Sequence, residues 1–369
     1  MHGSTGCNPK NPHALDRQLD RGYTEQMVSA TFNPPSKFLT THVTWEEAPK
    51  ARLHLYEDSS KTILSENNSE DISFRYSVNP YRGCFHACTY CYARPSHEYL
   101  GFGAGTDFDR NILVKRTAPA LLERTFRRPT WKGDSICFSG NTDCYQPIEH
   151  TLQLTQSCLN VCLQFQNPVG IITKSSLILR DIALLQELHQ SAGCHVVVSI
   201  PFLDPADARA IEPNAPPPRR RLSVVKSLAA AGIPVGVSLG PIIPGLNDRA
   251  IPAILKAARS AGASTAWMIP IRLVGPVAIV FETRLRERLP EKADRVMNAI
   301  REMRRGDLGG GGVGQRMHGH GPAWAATVQL FNIWKARLGF PGFPPRRVPS
   351  PFRIPGHGAQ VPLFSSAAS

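Results

Sequence analysis

The 369-residue chain contains no run of about 18 apolar residues, so no membrane-spanning helix is expected. Its N-terminus has no apolar block either. Asp16, Arg17, Asp20 and Arg21 stand where a secretory signal would need one. Nine cysteines, odd in number and unevenly spread, argue against a disulfide framework and suit a reducing compartment. A cytoplasmic location without a membrane partner is therefore expected. The glycine run at 309–314 follows no strand, so it is no phosphate-cradling loop, and a flexible hinge is expected there. Residues 341–369 hold no acid, but seven prolines with Arg346, Arg347 and Arg353, the composition of a disordered tail.

Positive charge is in excess, with 42 Lys and Arg against 29 Asp and Glu and a net charge of +13. Phosphates reward clustered cations, so DNA or RNA is one partner this charge suits. A solvated basic surface accounts for the same number, because charge alone names no partner.

The chemistry is concentrated in residues 77–94, SVNPYRGCFHACTYCYAR. Cys84, Cys88 and Cys91 fall within eight residues as C-x3-C-x2-C, with Tyr90 directly before the last. Three thiolates on one loop can hold a metal centre, and three leave one position for a ligand that is not cysteine. A zinc knuckle would want a second Cys or His pair at short spacing, and only His86 and His97 are near.

Spacing and flanks resemble the radical S-adenosylmethionine (SAM) enzymes. The longer run at 59–100 resembles their spore photoproduct lyase-like branch, the DNA repair photolyase-related group. The resemblance implies that Cys84, Cys88 and Cys91 ligate a four-iron four-sulfur (4Fe-4S) cluster. Its remaining iron chelates the amino and carboxylate groups of SAM, and reduction yields a 5′-deoxyadenosyl radical. It also implies an electron donor of the flavodoxin or ferredoxin type.

The rest of the chain alternates between apolar strands and amphipathic helices. Strands are expected from 72 to the turn at Pro80 and Gly83, then at 134–139, 169–172, 195–200, 234–239 and 264–271. Six strands alternating with helices specify an α/β fold with parallel strands and right-handed crossovers. Six such units make a partial (β/α)6 barrel of TIM type, which is also the radical SAM core. The expected organisation is an irregular N-terminal arm (1–58), the barrel (59–273), a C-terminal helical extension (274–340) and the tail (341–369). Phe38, Val43 and Trp45 are expected to order part of the arm against the barrel.

In parallel barrels, functional residues collect on the loops after the strands. Here the strand-two loop offers Asn141, Thr142, Asp143 and Cys144, strand three ends in Lys174 and Ser175, and strand four ends in Ser199. The resemblance assigns Asn141 and Asp143 to the amino group of SAM, Lys174 to its carboxylate and Ser199 to its ribose, with Tyr90 beside the cofactor. Blander roles also fit: a helix cap for Asp143, a core hydroxyl for Ser199, an exposed cation for Lys174. By resemblance Tyr90 and Tyr92 help pass hydrogen when a product radical is quenched.

The chain departs from the lyases in one respect. Their hydrogen-donor cysteine precedes the Ser/Thr-Asp pair; here Gly140 takes that place and Cys144 follows Thr142-Asp143. Cys144 is expected near the barrel mouth as a shifted donor, or else as a small space-filling residue. His150, His189 and His195 have no partner at metal spacing and are expected to be structural. The resulting expectation is a SAM radical enzyme acting on a nucleic-acid lesion or nucleotide. The alternatives are one acting on a peptide or small metabolite, or an iron–sulfur protein that binds nucleic acid or senses redox state without catalysis.

Overall fold

The computed structural model describes residues 33–35, 38, 52–309, 311–312 and 314–356. Ten strands occur among them: β1 (His54–Glu57), β2 (Leu64–Glu66), β3 (Tyr76–Val78), β4 (Tyr81–Arg82), β5 (Asn111–Val114), β6 (Ile136–Phe138), β7 (Val169–Thr173), β8 (Cys194–Ser199), β9 (Val235–Ile242) and β10 (Thr265–Pro270). The main sheet runs β10-β9-β8-β7-β6-β3-β2. From β3 to β10 all neighbours are parallel, and β2 adds an antiparallel edge to β3. These six parallel strands in chain order are the expected partial barrel.

Each strand is two-faced because side chains alternate. In β9, Val235, Val237 and Leu239 are buried under the helices, while Gly236, Ser238 and Gly240 alternate with them on the barrel interior. β6, β7 and β8 repeat this, with Ile136, Phe138, Val169, Ile171, Val196 and Val198 on the helix side. That side is covered by α2 (Ala118–Phe126), α4 (Leu154–Gln164), α5 (Ile182–Ser191), α7 (Pro218–Ala230) and α8 (Ile251–Ser260). In α8 the buried residues Ile251, Ile254, Leu255 and Ala258 keep helical spacing, so one apolar stripe meets the sheet. Each of the isoleucine and leucine side chains, fully buried, contributes about 1.5–3 kcal/mol. Helices α9 (Pro276–Arg288), α10 (Pro290–Met303) and α11 (Pro322–Arg337) form the extension.

Several boundaries differ from expectation. Residues 54–57 are not part of an arm: β1 pairs with β5, which also pairs with β4, in a small second sheet. Val43 and Trp45 lie outside the described residues, and Phe38 sits 5.1 Å from the Tyr99 ring, centroid to centroid. The proline-rich connection after β8 contains a helix, α6 (Pro205–Ile211), capped by the Asp204 carboxylate, which accepts from Ala206 N and Asp207 N.

The largest correction concerns the tail. Residues 341–356 form an ordered strap, and 357–369 lie outside the described residues. Phe352 and Ile354 pack on the core, the Ser350 hydroxyl donates to Gly133 O (2.7 Å), and Arg353 N donates to Phe165 O (2.9 Å). Composition misled because three apolar anchors, Phe352, Ile354 and Phe343 against the His195 ring, and a few backbone bonds suffice to hold an extended segment whose prolines already restrict it.

Candidate active site

The cysteine loop follows β3 and β4, at the C-terminal end of the parallel strands, and is built to be rigid. Gly83 has φ +81°, and a Cβ there would lie 2.9 Å from both Phe108 O and Asn111 O. Only glycine fits. Cys84 N donates to Phe108 O (3.1 Å), and Cys91 N to Cys88 O (3.2 Å). Gln146 spends both side-chain atoms on this loop: Oε1 accepts from Phe85 N and Nε2 donates to Gly83 O, each at 3.0 Å. Asn214 Nδ2 donates to Phe85 O (2.8 Å), and Thr89 N to Ile211 O (3.0 Å), so the connection after α6 clamps the far side. The buried Arg94 donates to Cys88 O (3.0 Å) and pairs with Asp109 (2.8 Å).

The three thiols are free, with Cys84 and Cys88 buried and Cys91 partly exposed. Burial first, then the Asp143 carboxylate and the two other thiols, pushes Cys84 well above its ordinary value. Burial pushes Cys88 up to about 12, against the opposing pull of Lys174. Cys91 is raised as well, chiefly by burial. Three close sulfurs, two of them buried and all held above their ordinary values, are a donor set that a cationic iron centre would relieve. Among the described residues, no group of three His, Cys, Asp or Glu is placed to hold a single metal ion. Cluster thiolates bind separate irons and so stand further apart than the ligands of one ion.

Two polar groups flank the loop. Asp143 accepts from Thr173 Oγ1 (2.7 Å), Lys174 N (2.8 Å) and Tyr145 N (3.0 Å), and His86 Nδ1 lies 3.3 Å from Oδ2. Burial alone would raise its carboxyl, but His86, the Lys174 amide and the Thr173 hydroxyl outweigh that and hold it at about 2. On the other side Lys174 Nζ lies 4.0 Å from Glu212 Oε1 and 5.8 Å from the Tyr90 ring centroid. Burial works against its charge, but Cys88 and Glu212 win, and the ammonium is held above its ordinary value. Glu212 also accepts from the Tyr90 hydroxyl and is paired with buried Arg221, whose Nη1 donates to Ser199 O (3.1 Å). One bonded chain thus links Ser199, Arg221, Glu212 and Tyr90, with Lys174 beside it.

The predicted residues therefore divide. Cys84, Cys88, Cys91, Tyr90, Asp143, Lys174 and Ser199 gather at one end of the barrel. Asn141 reaches this end through its backbone, which donates to Asn79 Oδ1 (2.9 Å). Tyr92 is 57 % exposed, with its hydroxyl on Gly140 O. Cys144 departs from expectation in its burial: it has no exposed surface and is enclosed by the core. The turn at Ser139 (φ +70°) explains this, since Ser139 Oγ accepts from Cys144 N (2.8 Å) and Thr155 Oγ1 holds Cys144 O (2.7 Å).

Glu212, Arg221, Gln146 and Asn214 were not anticipated. For Arg221 a signal existed, because with Val224, Val225 and Leu228 it keeps helical spacing on the buried face of α7. In the run Arg219-Arg220-Arg221 it reads as surface charge.

A parallel partial barrel with three clamped cysteines after its first strand is the arrangement with which known proteins can be compared. Residues 78–258 match the family model of the Radical SAM superfamily. An uncharacterized protein of Mycobacterium tuberculosis is 36% identical over 236 residues, 63% of this chain and 69% of the relative. One of Methanocaldococcus jannaschii is 30% identical over 174 residues, 47% of this chain and 62% of that protein. The chain also superposes on spore photoproduct lyase complexed with dinucleoside spore photoproduct, with a TM-score of 0.54 at 17% identity, covering 78% of this chain and 80% of that one. The chain belongs to the radical SAM superfamily, and its cofactors are a 4Fe-4S cluster and SAM. No helix among the described residues is long and apolar enough to cross a membrane.

Proposed function

We propose that Cys84, Cys88 and Cys91 hold the cluster, and that the enzyme starts radical chemistry on a nucleic-acid lesion or nucleotide. The observation that carries the reading is that an ionised acid, Asp143, and a cation, Lys174, are both placed against the three-thiol loop, Asp143 acting on Cys84 and Lys174 on Cys88. Asp143, an acceptor that stays ionised at neutral pH, suits the ammonium of SAM. Lys174 suits its carboxylate, and a hydroxyl such as that of Ser199 at the end of β8 suits its ribose. The cluster, when bound, supplies the electron that splits the SAM sulfonium and releases a carbon radical. The protein's part is to hold sulfonium and sulfurs in one orientation, through Gln146, Asn214 and the Glu212–Arg221 pair. Tyr90 and Tyr92 stand beside this centre, with abstractable phenolic hydrogens. The net charge of +13 supports a polyanionic substrate, and the superposition on spore photoproduct lyase agrees with it. The electron would come from a flavodoxin- or ferredoxin-type donor in the cytoplasm.

Anaerobically reconstituted protein with SAM and a strong reductant is expected to release 5′-deoxyadenosine and methionine. Lys174→Ala should weaken SAM binding by about 1.5–3 kcal/mol, for a lost charge-assisted contact. Unchanged affinity in that variant removes Lys174 from the site. Irradiated DNA followed by cell extract, analysed by mass spectrometry, tests the substrate class.

A further inference from the structure

The cysteine loop has two faces. One meets Asp143 and Lys174, where SAM is proposed to bind. The other packs on residues 94–110, in which a 3₁₀ helix (Arg94–Leu100) and a short α-helix (Thr106–Arg110) flank a connection. Phe108 has no exposed surface and packs with Cys84, Ala93 and Cys91. From it a line of rings runs outward. The His97 ring lies 5.0 Å from that of Phe108, and Phe102 lies 5.8 Å from His97. Tyr56 of β1 follows at 5.3 Å from Phe102, all measured centroid to centroid. His97 Nε2 donates to Asn111 O (2.8 Å), which fixes its ring in this line. Phe102 and Tyr56 are half-buried, so three ring contacts join the surface to the residue that touches the cysteines.

The same segment carries an aromatic surface. Tyr99, in the 3₁₀ helix that holds His97, is 76 % exposed, and Phe38 is 47 % exposed. Their rings lie 5.1 Å apart. Large rings exposed side by side form the kind of surface that a protein partner covers. Electron tunnelling weakens steeply with distance and across gaps, so a donor must dock where packed side chains reach the cysteines by a short route. SAM and substrate are proposed to fill the mouth, which leaves the wall behind the loop. Redox partners meet through small, transient interfaces, and the net charge of +13 steers acidic ones towards this protein. A flavin presents a planar aromatic edge, which suits exposed rings.

We infer that the surface formed by Tyr99, Phe38, Phe102 and Tyr56 is the docking face of the electron donor, a small acidic flavoprotein, and that Phe102, His97 and Phe108 lie on the electron's route inward. The inference rests on the proposed cluster at Cys84, Cys88 and Cys91. In the transfer the flavin hydroquinone anion of the donor loses one electron and becomes a neutral radical. The cluster gains that electron, and no atom moves.

The test measures cluster reduction in the anaerobically reconstituted protein, without SAM or substrate, so no turnover is needed. Fully reduced flavodoxin and dithionite are the two reductants, and freeze-quenched samples are read by the paramagnetic signal of the reduced cluster. Replacing Tyr99 and Phe38 together by alanine should slow reduction by flavodoxin at least about tenfold and leave reduction by dithionite unchanged. Phe102→Leu should lower the limiting rate at saturating flavodoxin. Added salt should slow the flavodoxin reaction, because it screens the attraction between opposite charges. Ile333→Ala, on an exposed part of α11, should change nothing. Both Tyr99 and Phe38 are exposed, so the double variant should fold, which iron content and circular dichroism check. An unchanged flavodoxin rate in that variant overturns the docking face, and so does an equal loss with dithionite. Wild-type protein that dithionite reduces and flavodoxin does not sinks this inference alone. Protein that takes up no iron sinks the proposed function.

Discussion

The mouth of the barrel and its interior are furnished on opposite terms. At the mouth most charged and amide side chains are engaged: Asp143 has three donors, Gln146 uses both its side-chain atoms, and Glu212 is shared by Tyr90, Lys174 and Arg221, while Thr89 Oγ1 and His86 Nδ1 of the cysteine loop are buried without a hydrogen bond. In the interior, Phe343 meets the rings of His195 and Trp267, and His195 and Arg346 are left without hydrogen bonds among the described residues. The difference is one of preorganisation. A cofactor that must meet three sulfurs in one orientation needs a site whose groups are already fixed. Substitutions at the mouth should therefore destroy cofactor binding, those that break its buried ion pairs should also cost stability, and substitutions in the interior should do neither.

The sharpest break is at the cysteines. Replacing Cys84, Cys88 and Cys91 together by alanine should abolish the iron content and charge-transfer absorbance of reconstituted protein, while folding survives. Full absorbance in the triple variant would falsify the cluster assignment.

Next comes Glu212→Ala, which leaves buried Arg221 without its anion. Stability of the apoprotein should fall by about 3–5 kcal/mol in denaturant titration, the cost of an unpaired buried charge. Loss under about 1 kcal/mol would mean that the mouth is less preorganised than argued.

Acid should act on the mouth through Asp143. Its folded value of about 2 lies below the ordinary 3.8, so its ionised form stabilises the fold above the ordinary value. That stabilisation is lost as pH falls from about 4 towards 2, and amounts to about 2 kcal/mol. Asp143→Asn should flatten this part of the stability profile. Identical acid profiles would mean that other carboxylates carry it.

Much of this comparison was legible in the sequence, and the failures have physical causes. The cysteine spacing and the strand–helix alternation are local signals, so the six-strand barrel and the three-thiol loop could be read directly. The Glu212–Arg221 pair joins a proline-rich connection to a helix, and nothing in either segment alone states that they meet. The strap was misread because composition reports average polarity, whereas its order depends on where Phe343, Phe352 and Ile354 land.

The smallest predicted effect tests the thiol that the sequence pointed to. Cys144 follows Thr142-Asp143, and from that position alone its thiol was expected at the mouth. In the structure it has no exposed surface, belongs to the main core cluster, and is raised well above its ordinary value by burial and then by Asp143. A thiol enclosed by core side chains has no path to a substrate radical. Cys137 is the contrasting case: the same residue type, on the adjoining strand β6, lining a cavity of the barrel interior. Cys144→Ala should therefore cost about 1 kcal/mol of stability, typical of a small core truncation, and leave SAM cleavage and its products unchanged. Cys137→Ala should leave SAM cleavage unchanged. Side products appearing with Cys144→Ala, and not with Cys137→Ala, would bring Cys144 back to the mouth.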